Sequence, residues 1–214
     1  MEESKNSLLI AGTGFSGLMA QEIADSLDVL VLGFLTRDPE QVNQELNDVL
    51  IVAEIGSADA DTLLQEEHGR LIIAEEDIKR RHSLIADLAG STVEMVTLRH
   101  AQSTVADSAR MGKGNLIHAY THLQANSLLG EYNLIGSHVS VGIGAEIGTH
   151  CTLQDGVKLG REVVVEDDVF IGLGAIIHPG TKIGTGSMIA AGSVVMRDLP
   201  ANSTVFGNPA QVVE

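Results

Sequence analysis

The chain is short of three things, and each shortage excludes something. One cysteine, Cys151, stands in 214 residues, so no disulfide can form within the chain, and a reducing cytoplasm is the expected compartment. Positive charge is scarce: 13 Lys and Arg against 29 Asp and Glu give a net charge of −16. That balance argues against nucleic acid as a partner, which wants a basic footprint, and for a soluble, self-repelling surface. Long apolar runs are missing too. None reaches the roughly 18 residues of a membrane span, and the acidic start Met1-Glu2-Glu3 does not read as a signal peptide. The expectation is a cytoplasmic protein with no membrane partner.

What the chain has in abundance is a repeat. From Val105 to Pro200 an aliphatic residue returns every six positions without insertion or deletion, from Val105, Met111 and Ile117 through Ile183, Ile189 and Val195. Sixteen units result. Gly follows the opening residue at Gly112, Gly130, Gly136, Gly142, Gly148, Gly160, Gly172 and Gly184, and is expected to let the backbone turn each corner. A small or branched residue sits four places after the opener, as at Thr121, Ala145, Cys151, Ala175 and Ser193. An apolar opener and a small inward partner at a period of six predict a parallel β-helix, each unit one short flat side.

Ahead of the repeat the pattern alternates. Strands are expected at Ser7–Ala11, Val29–Leu35, Val49–Ile55, Arg70–Ala74 and Glu94–Leu98. The helix after the first strand should bury Leu18, Met19, Ile23 and Leu27. A second is capped by Asp59 and runs to about Glu67, and a third spans Glu76–Leu88 with Ile78, Ile85 and Leu88 inward. Such alternation predicts a parallel sheet covered on both faces, a small Rossmann-like unit over 1–98 with the β-helix and a tail over 99–214. Gly12, Gly14 and Gly17 form a G-x-G-x-x-G turn between the first strand and its helix, where a ligand's phosphate can approach the backbone. A dinucleotide site wants an acid about 20 residues on to hold a ribose. Here the second strand ends Thr36-Arg37-Asp38, so the turn is expected to take a sugar nucleotide, with Arg37 toward phosphate.

This chain resembles the bacterial sialic-acid O-acetyltransferase and UDP-4-amino-sugar N-acetyltransferase family of hexapeptide-repeat acyltransferases. The resemblance covers nearly its whole length: the glycine turn, Gly33-Phe34-Leu35, His100-Ala101-Gln102-Ser103, the repeats, and the ending Val205-Phe206-Gly207-Asn208-Pro209-Ala210. It implies a left-handed β-helix, a homotrimer, and acetyl transfer from acetyl-CoA to an amino or hydroxyl group of a nucleotide-linked or free sugar in surface-glycan synthesis. By position it implies sugar-nucleotide contacts at Gly12, Gly14, Phe15, Ser16, Thr36, Arg37 and Gly56. Acetyl-CoA, lying between two subunits, would meet Thr152, Leu173, Gly174, Ala191 and Gly192.

Two adjacent positions depart from the family. Its catalytic histidine, in a segment reading valine-x-His-acid-Cys, aligns onto Ile143 and the following acid onto Gly144. Neither takes a proton. Acetyl transfer needs a positioned base, donors for the oxyanion and two substrates held together. The substitute base read from the sequence is His138, five residues earlier and across a coil corner, with Tyr120 stacked 18 residues below it; His150 is its competitor. His118 and His122 share one unit, but no converging third imidazole follows, so no metal is expected. Of the other histidines, His68 and His82 read as solvated and His178 as a corner residue. Cys151 reads as core. The reading from another class is a non-catalytic relative that binds a nucleotide sugar or a partner protein.

Overall fold

The computed structural model describes residues 7–65 and 69–213; the expected helix end at Glu67, and His68, lie outside them. The chain divides into two compact units, Met1–Ala101 and Gln102–Glu214.

In the first unit, the apolar runs become strands β1 (Ser7–Ala11), β2 (Leu30–Thr36), β4 (Val49–Glu54), β5 (Arg70–Ile73) and β6 (Glu94–Met95), with a short β3 (Glu45–Leu46). Their order is β3-β4-β2-β1-β5-β6, and every neighbouring pair is parallel except the β3–β4 hairpin. β1 is buried along its whole length, as a central strand covered on both sides must be. The sequence reading missed β3. Its signal was Asn47-Asp48, a two-residue turn with both residues at positive φ, 49° and 64°, the geometry a tight hairpin requires.

Helices α1 (Phe15–Asp25), α2 (Ala58–Gln65) and α3 (Ile78–Leu88) alternate with these strands. Expectations about helix faces and about capping need correction. α3 buries Leu88 as expected but with Arg81 and Leu84, leaving Ile78 and Ile85 half-buried. α1 buries its small face, Ser16, Gly17, Ala20, Ile23 and Ala24, while Leu18 and Met19 are half-buried and Leu27 lies beyond the helix end, partly exposed. The reason is close approach: a Cβ on Gly17 would overlap the carbonyl oxygen of Gly12. The second correction concerns capping. α2 is capped by Ser57, whose hydroxyl accepts the Ala60 N–H at 3.2 Å, and Asp59 falls inside the first turn. α3 starts two residues later than expected because Asp77 caps it, accepting the Arg80 N–H at 2.9 Å.

The second unit is a parallel β-helix. Each hexapeptide is a two-residue strand, for instance Leu134–Ile135, whose second residue is the opener, buried from Ile117 onward. Strands 18 residues apart pair in register, as Leu116–Leu134–Thr152–Phe170–Met188, so the coil has three flat parallel sheets. Inside lies one aliphatic core of openers and inward small residues, Cys151 among them. The glycines after the openers do a different job from the one expected. They are absent from the positive-φ residues; a Cβ on Gly130, Gly142 or Gly172 would instead strike the backbone of the next coil. They permit stacking. The corner itself is turned by the third residue after the opener, left-handed in Gly156, Gly174 and Gly192 but also in Tyr120, Tyr132, His138 and His150.

One coil-to-coil ion pair sets an acid limit. Glu166 Oε1 meets Lys182 Nζ at 2.7 Å, and its Oε2 accepts the Thr185 N–H and hydroxyl at 2.9 and 3.0 Å. The Lys182 hydrogen bond, with the two from Thr185, lowers the Glu166 carboxyl from 4.5 to about 2. A lowered acid stabilises the fold above its unfolded value, and loses that contribution as pH falls through its folded one. Glu166→Gln should therefore lower the melting temperature at neutral pH, and the gap to the wild type should close between about pH 4.5 and 2. A gap that persists at pH 2 would contradict this.

Candidate active site

In the first unit, the carboxyl ends of the parallel strands open on a cleft of about 400 Å³. The loop after β1 supplies Gly12 to Ser16, the end of β2 supplies Thr36 and Arg37, and the segment after β5 supplies Glu75 and Glu76. This is where a parallel α/β sheet places its ligands. Six of the seven residues expected to meet a sugar nucleotide line it: Gly12, Gly14, Phe15, Ser16, Thr36 and Arg37. Gly56 does not; it turns the chain after β4 at φ 88°. Gly14 caps α1 with its backbone alone, and a Cβ there would meet nothing within 4 Å. Phe15 stands 82% exposed at the mouth. Arg37 is engaged by the Asp87 carboxylate and by the Ser83 hydroxyl at 2.9 Å. Arg80 is the cation that the sequence reading missed. Asp38 lines the cleft as well and caps the short turn that follows: its carboxylate accepts the Glu40 N–H at 3.1 Å.

In the second unit, corner residues form three columns, one for each edge of the coil. The first is traced by coil-to-coil hydrogen bonds from the N–H groups of His138, Gly156, Gly174 and Gly192 to the carbonyls of Ala119, Ser137, Asp155 and Leu173, at 3.0, 2.8, 2.9 and 2.7 Å. Tyr120 begins this column and stacks on the His138 ring, centroids 4.8 Å apart and planes 18° apart. Leu173 and Ala191 project beside it and are exposed. Cβ positions on Gly174 and Gly192 meet open space. Four of the five residues expected to meet acetyl-CoA are therefore here, Leu173, Gly174, Ala191 and Gly192. Thr152 belongs to the adjoining flat side and is buried.

Ile143 and Gly144 lie on the second column, where Gly144 N–H reaches Ala125 O and Glu162 N–H reaches Ile143 O. Ile143 is 53% exposed. A whole flat side, Val139 to Gly142, separates it from His138; they are one edge apart, not across one corner. His150 is on the third column, stacked on Tyr132 with ring centroids 5.5 Å apart. Its place repeats that of His138, which is what their shared position in the hexapeptide predicts. His178 belongs to the second edge, its Nδ1 3.1 Å from Pro179 O. Among the described residues no three His, Cys, Asp or Glu side chains converge as metal ligands, and no helix is long and apolar enough to cross a membrane.

Residues 162–197 match the hexapeptide repeat of succinyl-transferase. No curated protein matches the chain. Among solved structures, PerB from Caulobacter crescentus, in complex with CoA and GDP-perosamine, is 27% identical with a TM-score of 0.89, over 97% of each chain. A mutant of perosamine N-acetyltransferase from the same organism, with the same ligands, is 26% identical with a TM-score of 0.90, again over 97% of each chain. The acetyltransferase domain of PglB from Neisseria gonorrhoeae, in complex with acetyl coenzyme A, has the same fold: 23% identity and a TM-score of 0.87, over 98% of this chain and all of that one.

Proposed function

We propose that this chain, one of the hexapeptide-repeat sugar acetyltransferases, transfers an acetyl group from acetyl-CoA to an amino or hydroxyl group of a nucleotide-linked sugar. The observation that carries the reading is the first corner column, a run of left-handed glycines flanked by the exposed Asp155, Leu173 and Ala191, with an imidazole at its foot. With no side chain at the glycines, a pantetheine arm can lie against the backbone of the column. His138 takes the proton of the acceptor, and Leu173, Gly174, Ala191 and Gly192 hold acetyl-CoA, with Thr152 on the adjoining side. The ligands bound to PerB, CoA and a GDP-linked amino sugar, agree with that division.

The first unit is read as a Rossmann-like domain, 1–98, that holds the nucleotide sugar through Gly12, Gly14, Phe15, Ser16, Thr36 and Arg37. Its support is the order of the parallel strands, the glycine turn after the first, and the cleft at their ends. Residues 99–214 form the acyltransferase domain, read as a left-handed β-helix. Exposed apolar residues on its flat sides, Leu128, Ile176 and Met188, support a homotrimer, and the single cysteine is in keeping with a reducing cytoplasm. The second reading, a binding protein without turnover, is favoured by one observation, the exposed Ile143 at the vacated base position.

Thioester consumption with a panel of 4-amino sugar nucleotides decides between them: turnover supports the enzyme, and binding without turnover supports the rival. Gly14 tests the cleft by itself. Gly14→Ala should lower the melting temperature by no more than a few degrees, the cost of a poorer N-cap whose Cβ meets open space, yet weaken UDP or GDP binding at least several-fold. Gly12→Ala should instead destabilise the fold, because φ is 129° and the Cβ would overlap the carbonyl oxygen of Ala74. Full nucleotide affinity in Gly14→Ala would remove the glycine turn from the site.

A further inference from the structure

We infer that Gln41 reads an acceptor-only oxygen of the cleft's ligand, a diphosphate oxygen of the nucleotide sugar. The inference rests on the nucleotide-sugar reading of the cleft given above. Gln41 lines the cleft, half-buried in the short 3-10 turn Pro39–Gln41 after β2. Its Oε1 takes two hydroxyl hydrogen bonds, from Thr13 at 2.7 Å and from Thr36 at 2.9 Å. The orientation of the amide suits Thr36. That hydroxyl accepts the Asp38 N–H at 3.1 Å, and with Oε1 facing it and Thr13 both hydroxyl protons find an acceptor.

With Oε1 occupied, the end of Gln41 that remains for a ligand is the Nε2 amide, which can only donate. The atom it meets must therefore be an acceptor. Thr13 belongs to the glycine turn, where backbone N–H groups at the start of α1 favour an anion, and Thr36 ends the neighbouring strand. Gln41 thus bridges the two loops on either side of the phosphate position. A ribose hydroxyl would accept from Gln41 too, but it can also donate, and that difference is testable.

Gln41→Glu keeps the length of the side chain and an oxygen for both hydroxyls, while replacing the donor by an anion. Calorimetry with UDP and GDP is the measurement, with thermal melting as the check on folding. The expected result is affinity at least about 10-fold weaker for each nucleoside diphosphate that the wild type binds, the gap narrowing as salt rises. Unchanged affinity would overturn the assignment, since a ribose hydroxyl can donate to Glu. A loss that salt does not alter would overturn it in favour of a neutral carbonyl on the base. If the wild type binds neither UDP nor GDP, the reading of the cleft fails, and the role of Gln41 with it.

Discussion

Replacing His138 by asparagine is expected to lower the turnover of acetyl transfer by about 10²–10⁴-fold, the usual cost of losing a general base. Asparagine suits the test because the residue sits at φ 56°, a region where Asn is tolerated far better than Ala. The backbone links of this position, N–H to Ala119 O and carbonyl from Lys158 Nζ at 3.0 Å, survive the substitution. Melting temperature should therefore hold, and KM for acetyl-CoA should change little while kcat falls. His150→Asn is the matched control: same hexapeptide position, same kind of tyrosine stack, but a different edge of the coil. Its effect on turnover should be mild. Equal turnover in both variants and the wild type would show that the base lies elsewhere, or that the acceptor amine arrives deprotonated.

The comparison of these two histidines shows where sequence reading stopped. A period of six states which residues are openers, and a spacing of 18 states which residues stack, so the Tyr120–His138 pair followed directly. The period also says that His138 and His150 are equivalent by position, yet it gives no weight to which edge carries the column of exposed glycines. That emerges from the chain of N–H to carbonyl links through Gly156, Gly174 and Gly192. The stacking glycines were misread for a related reason. Gly in a turn suggests positive φ, but here it answers to the next coil's backbone, a contact 18 residues away. In the first unit, the five main strands and the glycine turn were legible because they depend on local runs. Gln41, Glu75 and Arg80 were not, because no local pattern marks a residue that joins a cleft through three-dimensional neighbours.

Asn133→Ala is expected to be the most damaging single change in the β-helix outside its openers. Asn115 and Asn133 are both fully buried and form a ladder up the third edge. Asn133 Nδ2 donates to Asn115 Oδ1 and to Gly148 O, each at 3.0 Å, while its Oδ1 accepts the Cys151 N–H at 2.7 Å. Asn115 below it donates to Gly112 O and Gly130 O at 2.9 Å. Removing the Asn133 amide takes the acceptor from the buried Cys151 N–H and a donor from Gly148 O, while Asn115 Oδ1 loses the side-chain bond but keeps the Asn133 backbone N–H at 2.9 Å. Each such loss costs about 1–3 kcal/mol; two groups lose a partner outright and the Asn133–Asn115 side-chain bond goes besides, so a total of about 3–5 kcal/mol is expected. At roughly 2–4 °C per kcal/mol for a chain of this size, melting should drop by about 6–20 °C. Ser127→Ala supplies the scale: its hydroxyl makes one inward bond, to Gln124 O at 2.7 Å, and should cost about 1 kcal/mol. Because each coil leans only on its neighbours, hydrogen exchange in Asn133→Ala should quicken first in the coils holding Asn115 and Cys151. A melting temperature within 2 °C of the Ser127→Ala value would show that the ladder is dispensable.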